Sequence, residues 1–225
     1  MSMSEALAFD MYGTLVDPIR IWKQLEYYIP GDVQRIAEIW RQKQLEFTFR
    51  LTAMEQYEDF EQVTRKALDY ALAITGHSLE TQQKDSLMAQ YNDLECFDDV
   101  EPGLQRLKDA GYIMVVFSNG SPSMLTAIMN ATHLTQYFNG FVSVDEVKVY
   151  KPSPIVYKHV ASSLGRPIDE SRLVSSNPFD VIGAEAAGMQ AAWINRSGGM
   201  FDTLAPVPQM VVKSITELAD VLAPL

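Results

Sequence analysis

Residues 7–17, LAFDMYGTLVD, constrain the fold more than any other stretch of the chain. Leu7, Ala8 and Phe9 form a short, apolar, uncharged run that predicts a strand buried on both faces. The run stops at Asp10, and Tyr12, Gly13 and Thr14 follow at once. A carboxylate at the C-terminal end of such a strand stands at the mouth of a parallel sheet, where open α/β folds place their ligands.

After this strand the alternation of strand and helix is interrupted. From about residue 18 to 95 the pattern is helical throughout. Val33, Ile36, Trp40, Phe47 and Leu51 mark one long helix that follows Pro30-Gly31, with Asp32 placed to cap it. Tyr57, Phe60, Val63, Ala67, Ala71 and Ile74 mark a second, ended by Gly76, and a third lies between Leu79 and Leu94 with Glu80 and Thr81 in its first turn. From Asp98 the rhythm resumes. Helices are predicted over 102–110, 122–131, 153–164 and 179–187, and strands over 113–117, 141–144, 173–175, 191–194 and 210–212, with Ser214 and Glu217 as a capping box for a terminal helix. The expected architecture is α/β: a doubly wound, Rossmann-like parallel sheet with a helical cap inserted after its first strand.

Composition narrows the function. A net charge of −11, with no cluster of Lys and Arg, argues against a nucleic-acid partner. No segment reaches the roughly 18 apolar residues that span a bilayer, and MSMSEALAF has an acid where a signal peptide carries positive charge, so no membrane partner and a cytoplasmic location are expected. Cys96 is the single cysteine and reads as a bystander thiol, and His77, His133 and His159 share no motif that would bind a metal.

The opening motif resembles that of the haloacid dehalogenase superfamily, and four further stretches are similar to its 2-haloacid dehalogenase branch: RQKQLEFTF from Arg41, FSNGSP from Phe117, VYKPSPIVY from Val149 and VSSNPFD from Val174. The resemblance covers nearly the whole chain and implies an α/β core over residues 1–16 and 98–225 with a cap over 17–97. In the superfamily's phosphatases the residue two after the nucleophile is a second Asp, a general acid that also helps hold Mg²⁺; here it is Tyr12. An alkoxide leaving group benefits from a proton donor, whereas halide, a very weak base, needs none. The resemblance therefore implies hydrolysis of short (S)-2-haloalkanoic acids to (R)-2-hydroxyacids through an ester on Asp10, with water as co-substrate, halide released and no cofactor or metal. A Mg²⁺-dependent phosphatase and a catalytically silent binding protein on the same scaffold are the rival readings. Relatives are often homodimers, and the apolar insertion could supply such an interface.

Several residues have expected tasks. Lys151 and Thr14 would favour the ionised form of Asp10 by opposite charge and by hydrogen bonding. Ser118 and Asn119, between a buried strand and a helix, can grip an anion, and the resemblance implies the substrate carboxylate. Arg41 shares a helix face with Ala37, Leu45 and Thr48, and its family counterpart assists halide departure. Tyr12, Leu45, Phe60 and Phe179 read as an apolar wall that excludes water, although many members of the branch carry Trp at the position of Phe179. Ser175, Asn177 and Asp180 occupy the loop where phosphatases place paired acids for Mg²⁺. With one acid among them they suit a hydrolytic water and support of Lys151, and the hydroxyl of Tyr157 would join that network.

Overall fold

The computed structural model describes residues 5–224. Six parallel strands make one sheet: β1 (Ala6–Phe9), β2 (Ile113–Ser118), β3 (Phe141–Ser143), β4 (Ser171–Ser175), β5 (Gln190–Ile194) and β6 (Met210–Val212), in the order β3-β2-β1-β4-β5-β6. β1 is central, with Ala6 to Phe9 in register with Ile113 to Val116 on one side and with Ser171 to Val174 on the other. The chain moves from β1 to β2 and β3 on one flank and then back across to β4. The β1–β4 boundary is thus a topological switch point, where a doubly wound sheet opens a crevice beyond its carboxyl ends. Every residue of β1 is buried, as expected of a strand covered on both faces. Asp10 therefore projects from the most constrained strand, its own N–H donating to the Val174 carbonyl at 3.0 Å.

Between β1 and β2 lie α1 (Trp22–Leu25), α2 (Val33–Ala53), α3 (Phe60–Ile74), α4 (Thr81–Tyr91) and α5 (Val100–Asp109). The inserted helices leave and return at one place. Val16 and Cys96 form an antiparallel bridge, and Asp17 N–H to Glu95 O (3.2 Å) and Phe97 N–H to Leu15 O (3.1 Å) extend it. Asp32 caps α2 through the Arg35 N–H, as its place after Pro30-Gly31 predicts, and Asp59 caps α3 through the Gln62 N–H. Helices α6 (Pro122–Ala131), α7 (Pro154–Ser163), α8 (Pro178–Ala186) and α9 (Ile215–Leu222) complete the core. The segments from α6 onward alternate with strands as their apolar runs predict.

Local expectations fail where a side chain has a better partner than the pattern supplies. Tyr57 precedes α3 because its hydroxyl donates to Asp145 of the core, and Ile74 is exposed while Leu68 and Leu72 fill the stripe. Glu80 is the N-cap of α4, in a reciprocal box with Gln83, and lies outside the first turn. α5 begins at Val100, two residues before Pro102. Ser214 caps α9, but Glu217 returns its carboxylate to the Lys213 N–H at 2.6 Å, so the box is shifted by one residue.

Two glycines bear on the site. Gly13 turns the chain after Asp10 at φ +91°, a region costly for other residues. At Gly183 on α8 a Cβ would lie 2.5 Å from Pro152 Cβ and 2.6 Å from the Tyr157 hydroxyl oxygen. Its absence lets α8 approach the Lys151 loop and α7 closely.

Candidate active site

The ends of β1, β2 and β4 bring the polar residues together. Asp10 is 6% exposed, and its two oxygens differ in their surroundings. Oδ2 accepts from the Thr14 hydroxyl at 2.9 Å, the Asn177 amide at 2.7 Å and the Ser175 hydroxyl at 3.4 Å. Oδ1 faces the Lys151 ammonium at 3.2 Å. Oδ2 is held by three donors, whereas Oδ1 meets the Lys151 ammonium alone among the described residues.

Lys151 is 1% exposed, and all three of its N–H groups are engaged. Besides Asp10, Nζ donates to the Phe117 carbonyl at 2.8 Å and to Asp180 Oδ2 at 2.9 Å, and it lies 4.0 Å from the centre of the Phe117 ring. An ammonium this deep is tolerable only with such partners, since removing a lone charge from water costs several kcal/mol. Asp180 is fully buried, and its Oδ1 accepts from the Tyr157 hydroxyl at 2.7 Å. Burial raises the Asp180 pKa above the ordinary carboxylate value and the Asp10 charge adds to this, while Lys151 opposes both.

Ser118 and Asn119 close the far side of the cluster. The Asn119 side-chain oxygen accepts the Lys151 N–H at 3.1 Å, and the Ser118 hydroxyl oxygen accepts the Gly120 N–H at 3.1 Å. Both residues are buried at the start of the turn into α6.

The helical insertion covers this cluster with one face of α2. Arg41 donates to the Tyr12 carbonyl at 3.1 Å, the same oxygen that accepts from Asn177 at 3.0 Å. Its other arm donates to Gln44 at 2.7 Å. Two turns on, Phe49 meets Phe179 edge-to-face at 5.1 Å, and farther along the Thr52 hydroxyl accepts the Tyr150 N–H at 3.2 Å. Leu45 lies half-buried between Arg41 and Phe49 on that face. Tyr12 and Phe60 pack together at 5.6 Å, both buried. The Tyr12 hydroxyl is buried and, among the described residues, has no hydrogen-bond partner. Burial, with Tyr91 and Asp10 adding, pushes its pKa well above the ordinary phenol value, so it is a neutral donor.

All fourteen sequence-derived candidates lie around the cleft between the strand ends and α2, or on the Lys151–Asp180–Tyr157 arm behind it. Four contributors were not singled out in the sequence, although Gln44 and Phe49 lie within the RQKQLEFTF stretch. Gln44 is fully buried, with its oxygen accepting from Arg41 and from the Tyr91 hydroxyl (3.1 Å) and its amide donating to Thr64 at 2.6 Å. Its spacing of three from Arg41 was the available signal. Phe49 lies four residues after Leu45 and eight after Arg41, on the same face. Tyr91 and Arg196 come from remote segments and had no local signal. Cys96 is half-buried, with its thiol pushed up to about 11 chiefly by burial.

Residues 5–188 match the haloacid dehalogenase-like hydrolase family. The (S)-2-haloacid dehalogenase of Pseudomonas sp. (strain YL) is 34% identical over 220 residues, 98% of this chain and 95% of its own. The (S)-2-haloacid dehalogenase 4A of Burkholderia cepacia is 37% identical over 221 residues, 97% of this chain and 94% of its own. This chain belongs to the haloacid dehalogenase-like hydrolases. The L-2-haloacid dehalogenase of Xanthobacter autotrophicus, solved with chloropropionic acid covalently bound, superposes with a TM-score of 0.92 at 32% identity, covering 99% of this chain and 100% of that one. This chain and that dehalogenase therefore share one fold, inserted helices over a parallel sheet, as the strand and helix pattern predicts. No helix among the described residues is long and apolar enough to cross a membrane.

Proposed function

We propose that the protein hydrolyses short-chain (S)-2-haloalkanoic acids to (R)-2-hydroxyacids through an ester on Asp10, without a metal ion. The observation that carries this reading is the unequal treatment of the two Asp10 oxygens, with three donors on Oδ2 and, among the described residues, Lys151 alone on Oδ1. Oδ1 attacks the α-carbon opposite the halogen. The new C–O bond forms as the carbon–halogen bond breaks, the electron pair leaves with halide, and the configuration inverts. Ser118 and Asn119, with the N–H groups of their turn, hold the substrate carboxylate. Tyr12, Leu45, Phe60 and Phe179 exclude water from the chain carbon, and the Arg41 guanidinium stabilises the departing halide.

Water then adds to the carbonyl carbon of the aspartyl ester, and the hydroxyacid leaves with the oxygen that Asp10 first supplied. Asn177 and Ser175 position that water. Asp180, whose proton affinity is raised by burial, takes its proton and returns it to the departing hydroxyacid oxygen as the ester C–O bond breaks, while Lys151 and Tyr157 hold Asp180 in place. Thr14 keeps Asp10 oriented.

The donor set does not suit Mg²⁺, the ion of the family's phosphatases. The Lys151 ammonium already lies between Asp10 Oδ1 and Asp180 Oδ2, and Tyr12 stands where those enzymes have their second Asp. Among the described residues, no three His, Cys, Asp or Glu side chains converge as metal ligands. We further read residues 17–97 as the cap and residues 1–16 and 98–225 as the core, and the working form as a cytoplasmic homodimer. Apolar side chains exposed at and near α2 and α3, Met54, Tyr70 and Ile74, support the pairing, which light scattering tests.

The deciding experiment is halide release from (S)-2-chloropropionate in the presence of EDTA, together with a single turnover in ¹⁸O water. Full activity is expected with EDTA, with label on Asp10 and none in the first product. Label in the product of that turnover would mean direct attack by water, and loss of activity with EDTA would restore the phosphatase-like reading. Asp10→Asn should abolish release, with reversion of Asn to Asp excluded by mass.

A further inference from the structure

Outside the groups assigned above, one arginine is tied into the back of the nucleophile's turn. We propose that Arg196 is a positioning residue that aligns Asp10 through Thr14. The proposal rests on Asp10 being the nucleophile.

Arg196 lies in the loop after β5, its side chain 20% exposed, with its guanidinium 4.2 Å from the centre of the Phe97 ring. Nη2 donates to the Thr14 carbonyl at 2.9 Å and Nη1 to the Ser176 hydroxyl at 3.0 Å. Nε and Nη2 also donate to the two oxygens of Asp99, each at 2.9 Å. Asp99 in turn accepts the Ile215 N–H at 2.6 Å. One planar cation thereby joins the turn after β1, the loop after β4, the segment returning from the inserted helices and the start of α9.

The consequence for the site runs through a single hydroxyl. Thr14 Oγ1 accepts the Ser176 N–H at 2.8 Å and donates to Asp10 Oδ2 at 2.9 Å. A hydroxyl has one proton, so with Ser176 donating to the oxygen that proton is committed to Asp10. The arrangement holds only while the turn after β1 and the loop after β4 keep their mutual register. Asn177 ties them from the cleft side through Asp10 and the Tyr12 carbonyl, and Arg196 ties them from behind through Thr14 and Ser176. Only a fork can span Thr14, Ser176 and Asp99 at once. A lysine carries the same charge but presents it as a point. Arg196 has no hydrogen bond to Asp10, so its effect is on geometry.

The test is a double-mutant cycle between Arg196→Lys and Thr14→Ala, read as kcat, KM and the rate at which the ester forms on Asp10 in the first turnover, followed by quenched mass spectrometry. Arg196→Lys keeps a cation for Asp99 and is expected to retain the thermal midpoint while kcat and the ester-forming rate fall about tenfold at unchanged KM, the size expected of a small misplacement at a reacting atom. In the Thr14→Ala background the same substitution is expected to change neither rate. Ser176→Ala removes one arm of the fork and keeps the backbone N–H. It is expected to lower kcat about threefold, the scale of one hydrogen bond, and again only while Thr14 is present. Should Arg196→Lys fold poorly, Ser176→Ala decides by itself. Wild-type kcat in either folded variant, or losses that simply multiply with Thr14→Ala, would overturn the proposal. If the wild-type enzyme itself forms no ester on Asp10, the nucleophile reading fails and takes this one with it. An ester in the wild type alongside an indifferent Arg196 sinks this inference alone.

Discussion

The floor and the roof of the cleft are built differently. Below, at the strand ends, Asp10, Lys151 and Asp180 are almost wholly withdrawn from water, and each ammonium proton of Lys151 has its own acceptor. Above, on α2, Arg41 is half-buried with two neutral partners, Leu45 is half-buried on the same face, and Phe49 meets Phe179 of the core through apolar surface. A buried charge network admits few geometries, because any change leaves a charge without a partner. An apolar face with one guanidinium admits many. The floor suits the bond-making step, which needs an oxygen at a fixed point, and the roof suits the choice of chain and leaving group.

Breaking the floor should therefore cost both fold and function. Lys151→Met removes the cation that contacts the buried carboxylates of Asp10 and Asp180. The expected loss is about 3–5 kcal/mol, the range for orphaning a buried charge. For a chain of this size that lowers the thermal midpoint on the order of 10 °C. No halide release is expected. A variant with the wild-type midpoint in calorimetry would mean that Asp10 and Asp180 repel less than their positions imply.

The same contrast should appear in the pH profile. In the proposed reaction Asp180 must be ionised to hold Lys151 and to take a proton from water, and burial raises its pKa above the ordinary value. As pH falls, Asp180 protonates before an exposed carboxylate would, so the acid limb of kcat should lie above that of an ordinary Asp. Folding favours the protonated form of this group. Taken alone, it makes the native state more stable as pH falls through its raised pKa towards the unfolded value. Asp180→Asn should remove the limb and lower kcat by about a hundredfold, within the range of a general base. An acid limb unmoved in Asp180→Asn would assign it to another group.

On the roof, Arg41→Lys is expected to lower kcat about ten- to a hundredfold with KM nearly unchanged, since a lysine keeps the charge but cannot reach Gln44 and the Tyr12 carbonyl together. Its thermal midpoint should barely move, unlike that of Lys151→Met. Equal stability losses in the two variants would erase the distinction between floor and roof.

The difference also governs what was legible in the sequence. Of the floor residues, Asp10, Ser118 and Asn119 stand where apolar runs stop and could be read from that pattern, whereas Thr14, Lys151, Ser175, Asn177 and Asp180 were marked by short strings that resemble the dehalogenase branch. β1 and its neighbours were legible for the same reason, since buried parallel strands are short uncharged runs. Roof and buttress depend on contacts between distant segments. Gln44 looks like any polar residue of a helix until Tyr91 and Thr64 are seen around it, and Arg196 follows a strand with nothing nearby to mark Asp99 as its partner. Helix ends were missed where capping competes with the apolar pattern, as at Glu80, or where a residue is taken by the core, as Tyr57 is by Asp145.

The smallest effect concerns the residue where the two regions meet. Tyr12 belongs to the floor by sequence, but its ring packs against Phe60 and Tyr91 of the inserted helices, at 5.6 and 5.5 Å, and its hydroxyl is buried without a partner among the described residues. A buried donor left unpaired costs about 1–3 kcal/mol, so its retention calls for a compensating role. Tyr12→Phe keeps the ring and removes the orphan. If the neutral phenol donates to bound substrate, KM should rise severalfold at unchanged kcat, the signature of lost uniform binding. The ligand-free enzyme should then gain up to about 1 kcal/mol, because the unpaired hydroxyl is gone. A stability gain with KM unchanged would make the hydroxyl a packing defect and leave substrate recognition to Ser118, Asn119 and Arg41. A loss of stability would mean that the phenol has a partner in the resting enzyme, and the meeting point would then belong to the tightly bonded floor.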